Sequence, residues 1–319
     1  NYDIDQLTSF VSSLYKPIES LDSVGLDRAI EDSGFSEDAI RSWFPEETIV
    51  EVASFLEIID ELSDGQEDLA RFAKISLSDC LRKVSFQRMN EWKNYRIEGW
   101  REKMDIEAAI EPLRKPLEKK LESNLLGAID FMSRLENSGI TESVVEVEDF
   151  NSVDSATFLN SPDGGFDLVV TSPPYGDSQT TVAYEQFSWF ANVWLGLDVR
   201  SSGNLAREMM GGTKKGVMET GCPEIDESIN RMEEKFAVKN YSFYEDYGKS
   251  ISNISKNVKE GGYACFVVGN RNSGGEVLRL DLFTRWALEK NGFERVGDII
   301  QRSLPGTRMP MRTSPLGKK

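Results

Sequence analysis

Histidine does not occur among the 319 residues. Its absence excludes Ser-His-Asp and Cys-His catalysis, HExxH zinc chemistry and histidine proton relays within this chain. Any chemistry must therefore run on carboxylates, hydroxyls, backbone groups and a cofactor. Cysteine is scarce too: Cys80, Cys222 and Cys265 are odd in number, scattered, and form no CxxC pair. That supports neither a disulfide framework nor a zinc site, and no metal is expected. No run approaches the roughly 18 apolar residues of a membrane helix. The stretch after Asn1 has neither the basic start nor the apolar block of a signal peptide. The expectation is a cytoplasmic protein whose numbered chain need not begin at its native start.

Positive charge is also short, for the net charge is −17, which at first argues against a nucleic-acid binder. The distribution changes that. Residues 1–70 hold 18 acids against 3 bases, and the rest of the chain 36 against 34. Two basic stretches stand out: residues 82–103, with Arg82, Lys83, Arg88, Lys93, Arg96, Arg101 and Lys103, and the tail after Asp298, with Arg302, Arg308, Arg312, Lys318 and Lys319. Each reads either as solvated surface or as a phosphate-facing element.

Residues 1–140 read as a helical region, acidic to about residue 70. Pro45, Glu46 and Glu47 form a good first turn, with Ile49, Val52, Leu56 and Ile59 following at helical spacing. From about residue 105 to 135 leucines and isoleucines recur three to four apart, with Pro112 and Pro116 as kinks or breaks. After residue 140 the pattern changes. Residues 143–149 alternate as a strand, and Gly164-Gly165 turns the chain into a continuous apolar strand, 166–171, of the kind buried in a parallel sheet. Helices are expected over 184–195 and 244–258, a strand over 263–269 after Gly261-Gly262, a helix over 276–290 and a strand over 293–300. Strands alternating with helices imply an α/β doubly wound sheet over residues 141–319.

In such a sheet ligands bind outside the carboxyl ends of the strands, where Ser172-Pro173-Pro174-Tyr175 falls. Each proline fixes φ and lacks an N–H, so the backbone there is stiff and presents carbonyl oxygens without competing donors. Such a turn suits an exocyclic amine that must lose a proton as its nitrogen attacks a methyl sulfonium. The Ser172 side chain and the Pro173 carbonyl can accept its hydrogens, acting by positioning and electrostatics. Tyr175 offers a flat face on which a flipped base can stack. A plain turn after a strand is the competing reading.

The run from Asp167 to Tyr175, DLVVTSPPY, resembles catalytic motif IV of the amino-methyltransferases, the DNA cytosine-N4 and adenine-N6 enzymes. The resemblance covers about residues 140–312. It implies a Rossmann-like methyltransferase sheet, S-adenosyl-L-methionine as methyl donor, DNA as substrate and a restriction-modification or defence setting. The serine form of the motif is commoner in the cytosine-N4 group, so cytosine N4 is expected, with adenine N6 as the alternative. Related motifs in RNA enzymes keep RNA base N-methylation open, and a non-catalytic DNA-recognition or scaffold subunit is the reading from a different class.

By the same resemblance Ser172, Pro173, Pro174 and Tyr175 are the catalytic residues, while Asp149, at the end of the preceding strand, and Thr171 lie beside the cofactor. Asn270, in the segment that follows the paired glycines, Arg308, in the late run 304–310, and Tyr184 are expected at the base or the DNA. Asp149 reads equally as a solvent-facing acid, and Arg308 as part of a solvated tail. Asp167 is expected either to hydrogen-bond near the site or to cap the Gly164-Gly165 turn. Phe187, Phe190 and Trp194 read as a core stripe packing their helix onto the sheet, against the alternative of a DNA-stacking platform.

One element of the family is missing. The glycine-rich FxGxG loop, which lets the backbone approach the donor, is not found. The nearest candidate, residues 269–275, has the wrong glycine spacing and follows motif IV. A second polypeptide carrying FxGxG is therefore the expected partner, with this chain alone binding the donor weakly or not at all.

Overall fold

The structure, a computed structural model, describes residues 3–89, 93–98, 110–139, 152–155, 164–176, 184–197, 207–216 and 219–302. Helices lead: α1 (Ile4–Ile18), α2 (Leu26–Asp32), α3 (Glu37–Trp43), α4 (Glu46–Ser63), α5 (Glu67–Leu81) and α6 (Arg114–Asn137). Helix α1 starts where the Asp3 carboxylate accepts the N–H groups of Asp5 and Gln6 at 2.9 and 3.2 Å, satisfying donors that a helix start leaves unpaired. It buries Leu7, Phe10, Val11, Leu14 and Ile18 on one stripe. Helix α4 follows Pro45, with Glu46 and Glu47 at its positive end and Ile49, Val52, Phe55 and Ile59 inward. Pro112 and Pro116 do not kink a helix: Pro112 precedes α6 and Pro116 lies in its first turn, where a missing N–H costs no helical bond. Leu117 and Leu121 bury α6 against α1 and α5.

The Glu51 carboxylate is buried inside this helical layer, accepting the Leu113 N–H at 2.9 Å just ahead of α6. Desolvation raises its pKa, outweighing that hydrogen bond. The folded state therefore binds the proton more tightly than the unfolded chain, so this group's contribution falls as pH climbs from the ordinary carboxylate range through the raised value. Glu51→Gln keeps an acceptor and removes the buried charge. It should raise the thermal midpoint at pH 7, with the gain vanishing below the ordinary carboxylate range. A gain independent of pH, or a loss at pH 7, in melting curves at several pH values would contradict this.

The second half is α/β. Strand β1 (Phe166–Thr171) is followed by α7 (Tyr184–Phe187), α8 (Trp189–Trp194), α9 (Pro223–Asn230), α10 (Glu234–Ser255), β2 (Val258–Phe266), β3 (Arg271–Ser273), β4 (Glu276–Leu278) and α11 (Leu280–Lys290). Strands β1 and β2 pair in parallel, with Leu168 beside Tyr263, Val170 beside Cys265 and Thr171 beside Phe266. The Gly261-Gly262 pair does not precede the strand but lies inside it, where the register jumps from Phe166↔Val258 to Leu168↔Tyr263 and leaves a bulge. Residues 276–278, expected as helix, form β4 of a hairpin turned at Gly274-Gly275. Residues 293–300 form no strand; they follow the end of α11 with Val296, Ile299 and Ile300 exposed, and no described strand lies alongside to pair with them. The expected strand 143–149 lies outside the described residues.

A first core is built by the N-terminal helices and takes in Phe190 and Trp194. These two do not pack onto the sheet as expected. Phe44 meets them edge-on at 4.9 and 6.0 Å between ring centroids, a geometry aromatic quadrupoles favour, so α8 is drawn into the helical layer. A second core joins α9, α10 and α11, with Phe266 at the end of β2 and Val268 just beyond it packed against them. One face of the β1–β2 pair is exposed: Leu168, Val170 and Tyr263 are 56%, 67% and 60% exposed, with Val267 and Cys265 exposed among them. Strand β1 is thus not the buried strand its apolar run predicts. Among the described residues no helix is long and apolar enough to cross a membrane.

Candidate active site

The parallel pairing of β1 with β2 continues past the strand ends, where the Val267 N–H donates to the Thr171 carbonyl at 2.9 Å. Thr171, half-buried, thereby fixes the direction in which the chain leaves the sheet, and Ser172, Pro173, Pro174 and Tyr175 follow at the carboxyl end. The Ser172 hydroxyl lies 3.2 Å from the Tyr175 hydroxyl, and either can be the donor. When Ser172 donates to Tyr175, its oxygen keeps lone pairs for an incoming N–H. The exposed serine thus has an oriented acceptor.

Two glycines let this loop seat closely. A Cβ on Gly269 would meet the Tyr175 ring at 3.0 and 3.1 Å, so the ring lies against bare backbone just beyond β2. Tyr175 is nevertheless 40% exposed, which leaves ring surface for a base. Gly176 is buried, and a Cβ there would overlap Nη1 of Arg271 and fall 2.5 Å from its Cζ. The Arg271 guanidinium fills that space, and its Nη2 donates to Oδ1 of buried Asn240 at 3.3 Å. Asn240 is itself held, its amide donating to Ser273 Oγ and to the Phe236 carbonyl, both at 2.9 Å. Helix α10, strand β3 and the SPPY loop are tied into one seat.

Gly176, Arg271 and Asn240 were not singled out by sequence pattern. The signal that could have found them was the glycine that follows SPPY, a residue type that fits where another chain segment comes close. Among the predicted residues, Asn270 lies beside this seat, with its side-chain oxygen accepting the Asp281 N–H at 3.2 Å at the start of α11. Tyr184 opens α7, but its side chain lies outside the described residues, as do Asp149 and Arg308 entirely. Asp167 neither approaches the loop nor caps the glycine turn. It is exposed near the opposite end of β1, where Lys259 pairs with it at 2.7 Å and lowers its pKa. The run 269–275 is not a cofactor loop, since it leads into and turns the β3–β4 hairpin instead of joining a strand to a helix. Among the described residues no glycine-rich strand-to-helix loop is present, so these residues alone do not fit a methyl-donor site.

The site is therefore a rigid, donor-free turn with an oriented hydroxyl and a half-open aromatic ring, at the carboxyl end of parallel strands. Over 294 residues the chain is 32% identical to the Type II methyltransferase M.MvaI of Kocuria varians, a match that takes in 88% of this chain and 63% of that protein. The chain thus spans less than two thirds of that relative. No protein-family profile matches it, and no solved structure does.

Proposed function

We propose that this chain is the base-holding half of an S-adenosylmethionine-dependent methyltransferase acting on the exocyclic amine of a flipped DNA base, cytosine N4 in the first place, in a restriction-modification or defence setting. The SPPY loop carries this reading, and the relation to a Type II methyltransferase supports it. In this reading the target base stacks on Tyr175, while Ser172 Oγ and the Pro173 carbonyl accept the hydrogens of its amino group. Acceptors held in place draw the nitrogen lone pair out of conjugation with the ring, and holding them in advance costs no reorganisation during the reaction. The donor supplies the methyl group.

The donor site is then supplied by a second polypeptide carrying FxGxG. Two observations support that partner: the described residues lack such a loop, and among them one face of the β1–β2 pair is largely apolar and exposed. Parallel sheets are covered on both faces, and a helix-bearing α/β partner adding strands would cover this one.

The test combines the chain, a candidate donor-binding polypeptide, labelled S-adenosylmethionine and duplex DNA, followed by digestion to nucleosides. N4-methylcytosine is the expected product. N6-methyladenine would move the target to adenine, label confined to added RNA would make this an RNA enzyme, and binding without transfer would make the chain a recognition subunit. Tyr175→Ala and Pro174→Ala should each lower transfer far more than DNA affinity, and equal losses would contradict the roles given to them.

A further inference from the structure

The basic stretch after α5 is divided by the structure into cations that build the fold and cations that do not. Residues 86–88 and 95–97 pair antiparallel as the arms of a short hairpin: Gln87 pairs with Arg96, the Ile97 N–H donates to the Phe86 carbonyl and the Arg88 N–H to the Tyr95 carbonyl, both at 2.7 Å. Its inner residues are fixed. Phe86 is in the protein interior, and buried Gln87 donates to the Arg88 and Lys93 carbonyls at 3.0 and 2.9 Å. The Arg96 guanidinium lies over Trp43 at 4.1 Å and donates to the Ser42 carbonyl and hydroxyl at 2.8 and 2.7 Å. Lys83, one turn before, is held by Asp79. These cations are structural.

Side chains alternate along a strand, so the pair next to Gln87 and Arg96, Arg88 opposite Tyr95, faces outward. Arg88 is exposed and Tyr95 49% exposed. Among the described residues neither Arg88 nor Lys93 has an ion-pair partner. Two cations without an ion-pair partner among the described residues, exposed Arg88 and part-buried Lys93, thus stand with an aromatic on a clamped frame. The frame is also tied to the segment that follows the SPPY loop in sequence: Arg82 donates to Asn94 at 2.8 Å and lies over the Phe187 ring at 4.5 Å, and the Asn94 N–H donates to Gln186 at 3.2 Å.

We infer that this hairpin is a duplex-DNA contact, with Arg88 and Lys93 on phosphates and Tyr95 against the sugars and base edges between them. The inference rests on the DNA reading of the SPPY site, and charge selects the partner. In a chain of net charge −17, two cations with no ion-pair partner among the described residues suit a polyanion, while an exposed aromatic is a side chain that meets bases. Fixing the frame in advance spares the ordering cost that a mobile basic arm incurs on binding.

The experiment is fluorescence anisotropy with a labelled duplex at several salt concentrations, for the full chain alone and with its donor-binding partner. Arg88→Ala with Lys93→Ala should weaken binding about tenfold or more near 0.1 M salt and make the log–log salt slope shallower by about 2, roughly one for each phosphate that is no longer neutralised. Tyr95→Ala should weaken binding with the salt slope unchanged. None of the three side chains belongs to the buried core, so the melting temperature should change little, and Arg88→Lys should restore most of the slope. If the parent chain binds no duplex under either condition, the DNA reading itself fails. If it binds and the double variant matches it in affinity and slope, this inference alone is overturned. A parent that prefers single-stranded RNA of equal length overturns the duplex partner.

Discussion

Gly176→Ala is expected to lower methyl transfer by about two orders of magnitude while leaving DNA affinity within a few-fold. The new Cβ would overlap Arg271 Nη1 and sit 2.5 Å from Cζ and 2.9 Å from Cδ. Both cannot occupy that space. An arginine tip alone could swing away, but the overlap extends back to Cδ, midway along the side chain, and the guanidinium is held by Asn240, which is buried and bonded to Ser273 and Phe236. The loop is then the part that moves, and two successive prolines pass the displacement on to Ser172 and Tyr175 as a rigid unit. A shift of about 1 Å in a positioned acceptor is enough for a hundredfold loss. Pairing the change with Arg271→Ala gives the decisive control. With the guanidinium gone the Cβ has room, so the double variant should transfer faster than Gly176→Ala alone, a coupling expected of residues in contact. If the single variant keeps parental kcat, or the double variant is the sum of its parts, the loop does not depend on this seat.

The parts of the fold legible in the sequence were those whose causes are local. Helix α4 announces itself through Pro45, Glu46 and Glu47 and a stripe at helical spacing, and β1 through a six-residue apolar run between a glycine turn and a proline pair. The Ser172 to Tyr175 turn was legible for the same reason, because proline's constraint acts on its own residue and the one before it. What was missed depends on partners distant in sequence. Residues 293–300 carry strand-favouring Phe293, Val296, Ile299 and Ile300, yet a strand exists only by pairing, and no neighbour is at hand among the described residues. Phe190 and Trp194 have core spacing, but spacing cannot say which core, and Phe44, some 150 residues earlier, draws them to the helical layer. Arg271 and Asn240 belong to the site only because α10 and β3 converge on the residue after Tyr175. Residues 82–103 were ambiguous as a basic stretch because composition does not distinguish Arg96, laid over Trp43, from Arg88, facing solvent.

Thiol chemistry gives the sharpest test of the proposed donor-binding partner, because the three cysteines differ so strongly in setting. Cys80 is wholly buried and its pKa is pushed up to about 11 by desolvation; Cys222 is buried and raised for the same reason. Cys265 lies on the exposed face of the β1–β2 pair, beside Val170 in the parallel register and two residues from Tyr263. The thiolate is the reactive species and must be accessible. The folded chain should therefore release one equivalent promptly with a disulfide reagent, and three once unfolded. If a donor-binding polypeptide docks its helical layer on Leu168, Val170, Tyr263 and Val267, it must cover Cys265. Labelling should then slow by about a hundredfold or more at saturating partner, since reagent would have to wait for dissociation or local opening. Calorimetric affinity for S-adenosylmethionine should rise over the same titration, from weak or undetectable in the isolated chain. Protection without a gain in donor affinity would mean that the face is covered by something other than a donor-binding half, and tight donor binding by the chain alone would remove the need for that partner. Because the reporter is a native residue on the face in question, the measurement requires no substitution that would disturb the two-strand sheet on which the SPPY loop stands.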